Sequence, residues 1–138
     1  MTGALVQGTA PWFAMVGVAI AEAAERLGIP PDLDLSVLER YVYGERLDNG
    51  LHQGLRVDVV GGSLAFRSGV LAGETAQVVI DVTAATARQL NLLLSADPAY
   101  AQVFGKAMQD GHLRIHGDLG ALGPVFALAH DRIVEQTC

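Results

Sequence analysis

His112, Arg114 and His116 form the densest group of chemically capable side chains in the sequence, and two imidazoles beside a cation suggest first a metal site. Their spacing is that of an extended segment, where each residue rises about 3.3 Å, so His112 and His116 start roughly 13 Å apart and cannot share an ion directly. They read as the polar face of a strand. His130 and Asp131 are neighbours in a helical stretch, point in different directions, and make no catalytic dyad by themselves. Gly117, Gly120 and Gly123 lie between a strand and a helix, as a phosphate-cradling loop would, but the spacing is GxxGxxG. Asp118 would also repel an anion there, and Pro124 removes a donor. Ser63 follows Gly61-Gly62 in a hairpin turn and lacks the later glycine of a nucleophile elbow. Cys138 is the only cysteine, so it brings no partner for a disulfide or a cysteine-based zinc site. Asp58 and Asp81 are acids that could face each other across strands, although outward carboxylates on a sheet are ordinarily solvated. These residues predict a non-enzymatic protein with no metal and no cofactor.

The chain that must position any site has 138 residues, a formal net charge of −6, 51% hydrophobic residues and 17% charged residues. That length suits one domain, and the apolar share excludes a disordered chain. With one lysine, Lys106, and an excess of acids, the chain lacks the clustered cations through which nucleic-acid binders release counterions, so nucleic acid is not an expected partner. The uncharged run Ala10 to Ala21 is too short for a membrane span, and no Lys or Arg precedes it as in a secretion signal. A cytoplasmic protein is expected.

Hydrophobic periodicity predicts the elements. Pro11 opens a helix to about Leu27, with Trp12, Met15, Val16, Ala19, Ala23 and Leu27 on one stripe and Gly28 as its stop. After Pro30-Pro31, the spacing of Leu35, Leu38 and Tyr41 or Val42 predicts a short helix over Asp34–Tyr43, followed by a loop to Gly54. From Leu55 the period becomes two. A strand to about Val60, a Gly61-Gly62 turn and a strand over Ser63–Val70 form a hairpin, and Thr75–Val82 forms a third strand. Thr83 caps a helix to Ser95, and Asp97-Pro98 opens another that ends at Gly111. His112–Gly117 is the fourth strand, and a last helix follows Gly123-Pro124 with Leu122, Val125, Phe126, Ala129 and Ile133 inward. The fold class is α/β or α+β: one domain over 1–138, a four- or five-stranded sheet covered by about five helices, and a helical N-terminal portion over 1–50.

The stretch from Asp97 to Asp118 resembles the sterol carrier protein type-2 family, in which a helix is followed by Gly-x-Leu-x-Ile-x-Gly-Asp or Asn and a closing helix. Gly111, Leu113, Ile115, Gly117 and Asp118 match that pattern, and a looser match extends over Leu55–Val134. The resemblance implies helices covering a sheet around a hydrophobic tunnel for sterols, fatty acyl chains or other lipids, and no catalytic residues. It also implies a fifth strand, sought in Tyr41 to Leu47, and leaves the first 50 residues with little counterpart.

The expected function is therefore non-catalytic binding or transfer of an apolar ligand, with Phe104, Met108, Leu113, Ile115, Leu122, Phe126 and Ile133 lining the tunnel. Transient membrane contact would accompany transfer. The alternative is an interaction module on the same fold with its tunnel filled, for apolar stripes ordinarily fill one another's space. That module would use the Trp12 helix or an exposed sheet edge as its contact surface, and Trp12, Met15 and Leu27 would cap the tunnel, block it or pair two subunits in a homodimer.

Overall fold

Thr9 and Pro11 start the first helix for separable reasons. The Thr9 hydroxyl accepts the Trp12 N–H at 3.4 Å, and Pro11 sits in the first turn, where its missing N–H leaves no bond unmade. The helix, α1, runs Ala10–Leu27 and ends at Gly28, whose φ of 77° lies in the region glycine favours. The computed structural model describes residues 4–138.

Five strands follow in one sheet: β1 Leu35–Val42, β2 His52–Val60, β3 Ser63–Val70, β4 Val78–Thr83 and, after two helices, β5 Leu113–His116. Their spatial order is β3-β2-β1-β4-β5. The β2–β3 hairpin turns on Gly61 and Gly62, both at positive φ as a tight two-residue turn requires, and the Gly61 N–H donates to Asp34 Oδ1 at 2.7 Å. The chain then returns so that β4 lies parallel to β1, while the other three pairings are antiparallel. This makes β1 the central strand.

The helices α2 Ala84–Leu90, α3 Pro98–Asp110 and α4 Gly123–Glu135 complete the fold, with a single 3₁₀ turn, Gly120–Leu122, leading into α4. Thr83 and Asp97 cap α2 and α3 through their side chains. Apolar residues of α1, including Trp12, Phe13, Val16 and Ile20, join Val37, Leu55, Val57, Val78, Val82 and Leu113 of the sheet and Val125, Ala129 and Ile133 of α4 in one core. The opposite sheet face carries ions. Arg40 bonds Asp81, with His116 Nε2 3.4 Å from the same carboxylate, and Arg56 bonds Asp58 and Glu74.

Several sequence expectations are corrected. The helix predicted over Asp34–Tyr43 is β1, because Val37 and Leu38 are buried on opposite faces of a central strand and their combined pattern imitates a helical stripe. It supplies the fifth strand, which therefore lies mostly before Tyr41–Leu47. The helix after Thr83 stops at Leu90, where Asn91 closes the turn, and not at Ser95; with Asp34–Tyr43 a strand, the described residues form four α-helices rather than about five. The strand expected over Thr75–Val82 begins at Val78. Asp58 and Asp81 are not paired: β1 separates their strands, and each binds an arginine.

Candidate ligand-binding cavity

Between the sheet and the helices lies a cavity of about 380 Å³. The alternation of strand side chains builds its floor: Val37 and Glu39 of β1, Leu55 and Val57 of β2, Ile80 and Val82 of β4, and Leu113 and Ile115 of β5 all point to one face. Trp12, Val16 and Ile20 of α1 form one wall, at the four-residue spacing that stacks side chains along a helix. Leu90, Tyr100, Phe104, Phe126 and Ile133 close the rest. The volume falls within the roughly 300–1,000 Å³ range of small-molecule sites. A cavity of roughly 150 Å³ holds benzene, so this one suits a ligand on the order of fifteen heavy atoms.

Four polar side chains interrupt the apolar wall. Glu39 is half-buried on the central strand, facing the cavity, and desolvation by the groups around it pushes its carboxyl up to about 7. Among the described residues it has neither a hydrogen-bond partner nor a counter-ion. His130 Nε2 lies 2.8 Å from the Leu93 carbonyl; because a carbonyl only accepts, Nε2 carries the proton in that bond. Asn91 Nδ2 donates to the Ala87 carbonyl at 2.8 Å. Tyr100 stacks at a tilt on His130, with ring centroids 4.6 Å apart, and its hydroxyl pKa is raised by burial and by the Asp131 charge. Just beyond Glu39, Tyr41 is buried against Phe13 and takes a hydrogen bond from Gln7 Nε2 at 2.8 Å. Burial, with the neighbouring Glu39 charge, holds its pKa well above the usual phenol value.

Of the seven lining residues named from sequence, Phe104, Leu113, Ile115, Phe126 and Ile133 stand on the cavity wall. Met108 does not: it lies on the outer side of α3 and is 43% exposed. Leu122 is fully buried, but in the packing beneath α4 and not on the wall. Trp12 and Met15, considered as subunit contacts, are buried within the protomer. The indole N–H of Trp12 donates to Thr137 Oγ1 at 2.8 Å. Sequence reasoning missed Glu39 because it assigned the segment to a helix. Read as a strand, Val37-x-Glu39-x-Tyr41 places an acid between two inward residues, which is the signal that was available.

No family model and no curated protein matches the chain. Among solved structures, 94% of the chain is similar to 95% of sterol carrier protein 2, at 19% identity and a TM-score of 0.45. A UbiJ-SCP2 ubiquinone synthesis protein is similar over 91% of this chain and 89% of its own, at 14% identity and a TM-score of 0.47. The stereoselective inverting sec-alkylsulfatase Pisa1 of Pseudomonas sp. is also similar, at 19% identity and a TM-score of 0.40 over 81% of this chain. The chain spans only 14% of that sulfatase's length.

Proposed function

We propose that the chain binds an apolar small molecule or single lipid chain in the cavity between its sheet and helices, and that it does so without catalysis. The observation that carries this reading is about 380 Å³ of room walled by Trp12, Val16, Leu55, Ile80, Phe104 and Phe126. Removing a methylene from water is worth about 0.8 kcal/mol, so a ten-carbon chain brings roughly 8 kcal/mol before the cost of association. Binding thus needs no charged contact.

The alternative of a filled interior serving only assembly has this open volume against it. If subunits do pair through α1, the exposed Val18 and Leu27 are the residues to carry the contact. Transfer of the ligand between membranes, with brief contact of the carrier, is the biological form that such binding would take. Among the described residues no helix is long and apolar enough to cross a membrane.

The test is native mass spectrometry of purified protein before and after organic extraction, with reloading from a panel of alkanes, alcohols, amines and fatty acids. One bound ligand per chain is expected, with uptake lost in Ile80→Phe, which places a ring in the cavity. A delipidated, folded protein that takes up no member of the panel overturns the reading.

A further inference from the structure

Glu39 is the central residue of the central strand, and its neighbours on the cavity face are all apolar or aromatic. Its register partners are Leu55 on β2 and Ile80 on β4, with Val37 and Tyr41 two positions away along β1. Its half-buried carboxyl faces the cavity without a hydrogen-bond partner among the described residues, so a ligand entering that space is what can satisfy it. No described cation is placed to do so. Lys and Arg are missing from the cavity wall among the described residues, and the adjacent Arg40 lies on the outer sheet face, bound to Asp81.

The other polar groups have unused acceptors. Asn91 spends its N–H on Ala87, which leaves its Oδ1, and His130 spends its Nε2–H on Leu93, which leaves Nδ1 unused. Tyr100 adds a hydroxyl that both donates and accepts. An apolar space that keeps acceptors and one acid facing it, with no Lys or Arg on its described wall, is matched by a ligand that brings a donor.

Resting on the binding reading above, we infer that Glu39 anchors the ligand and selects an apolar body that ends in a hydrogen-bond donor, a hydroxyl or an ammonium, over one that ends in a carboxylate or phosphate. A donor satisfies Glu39 in either protonation state, since both forms keep an acceptor oxygen. An anionic head serves it only while Glu39 holds its proton. Once Glu39 ionises, two like charges share a low-dielectric space. The remaining titratable groups facing this space are Tyr100 on α3 and His130 on α4, with Tyr41 beside Glu39 on β1; the lining of α1, α2, β2, β4 and β5 adds none.

The experiment displaces the apolar dye phenylnaphthylamine from the full chain with decane, decanol, decylamine and decanoate, near pH 5.5 and pH 8.5. At the higher pH, decanol and decylamine are expected to bind at least about tenfold more tightly than decanoate, a gap of roughly the size one unfavourable buried charge contact produces. The gap narrows at the lower pH. In Glu39→Gln the preference for decylamine disappears and the pH dependence of decanoate binding is lost. Decanoate bound as tightly as decanol at the higher pH overturns the inference, as does an unchanged ranking in a folded Glu39→Gln. The wild-type ranking decides the matter even if that variant fails to fold. Uptake of every ligand without regard to its head group overturns this inference alone, whereas no uptake of the dye or of decane overturns the binding reading with it.

Discussion

Glu39 and Ile80 are register partners in the parallel ladder of β1 and β4, so a half-buried carboxyl and an isoleucine lie side by side on the cavity floor. Placing an acid there has a consequence for folding as well as for ligand choice.

Burial raises the Glu39 carboxyl from 4.5 to about 7. Between those values the folded protein holds a proton that the unfolded chain has released, so stability falls as pH rises through this window. The full cost, about 3 kcal/mol at most, is present above the folded value and absent below the unfolded one. Glu39→Gln is therefore expected to be more stable than wild type above about pH 7 and nearly equal to it near pH 4. Urea denaturation across this pH range measures the difference, and a constant offset at all pH values would contradict the assignment.

Acid sensitivity should come from the outer sheet face. Arg56 and Arg67 stand opposite each other on β2 and β3, and Glu74 bridges them while accepting the Leu71 N–H at 3.0 Å. Burial pushes the Glu74 carboxyl up, but these donors outweigh it and leave the net value lowered. Asp81 is lowered chiefly by its hydrogen bond from Arg40. Both contributions are complete above the ordinary carboxylate range near 4 and are lost as pH falls through the lowered folded values. Glu74→Gln is expected to cost about 1–2 kcal/mol at neutral pH and to flatten the acid limb of the stability curve.

Close approach of α1 to the sheet depends on Gly17. A Cβ added there runs into the ring of Phe66 on β3. Gly17→Ala is expected to destabilise by about 1–3 kcal/mol, with much of the loss recovered in the Gly17→Ala, Phe66→Leu double variant. Thermal melts of the four proteins in this cycle test it, and additive effects would place the strain elsewhere.

The chain ends are joined through Trp12. Its indole N–H donates to Thr137 Oγ1 at 2.8 Å, and the Leu5 N–H donates to the Gln136 carbonyl at 2.8 Å. Thr137→Val keeps the volume but strands a buried donor, at an expected cost of about 1–3 kcal/mol. Thr137→Ser, which retains the hydroxyl, should lose less than half of that, as denaturant titration would measure.

Much of this architecture was legible where a local signal decides the element. Pro11, Asp97 with Pro98 and Pro124 mark helix starts by the Asp97 cap and by the lost donor of proline, and Gly61-Gly62 marks a turn by its positive φ. The strict alternation around Leu113 and Ile115 marked β5 in the same way. For Phe104, Phe126 and Ile133 the inward direction followed from helical spacing alone, which could not tell a residue facing other side chains from one facing open space.

The sequence by itself determined which segments are amphipathic and, where a strong cap or breaker stands, as at Pro11, Gly28, Gly61-Gly62 and Asp97-Pro98, where they start or stop, because such signals act over a few residues. Only the tertiary structure decided that Leu35–Val42 is the central strand, since its ladders with β2 and β4 join positions far apart in the chain and override a helix-like spacing. That same long-range pairing turned Glu39 inward, while the packing of the helices on the sheet drew Trp12 into the wall, left Met108 partly exposed and buried Leu122 away from the cavity. Vacant volume is what remains after all the elements have packed, so no local pattern of residues encodes it.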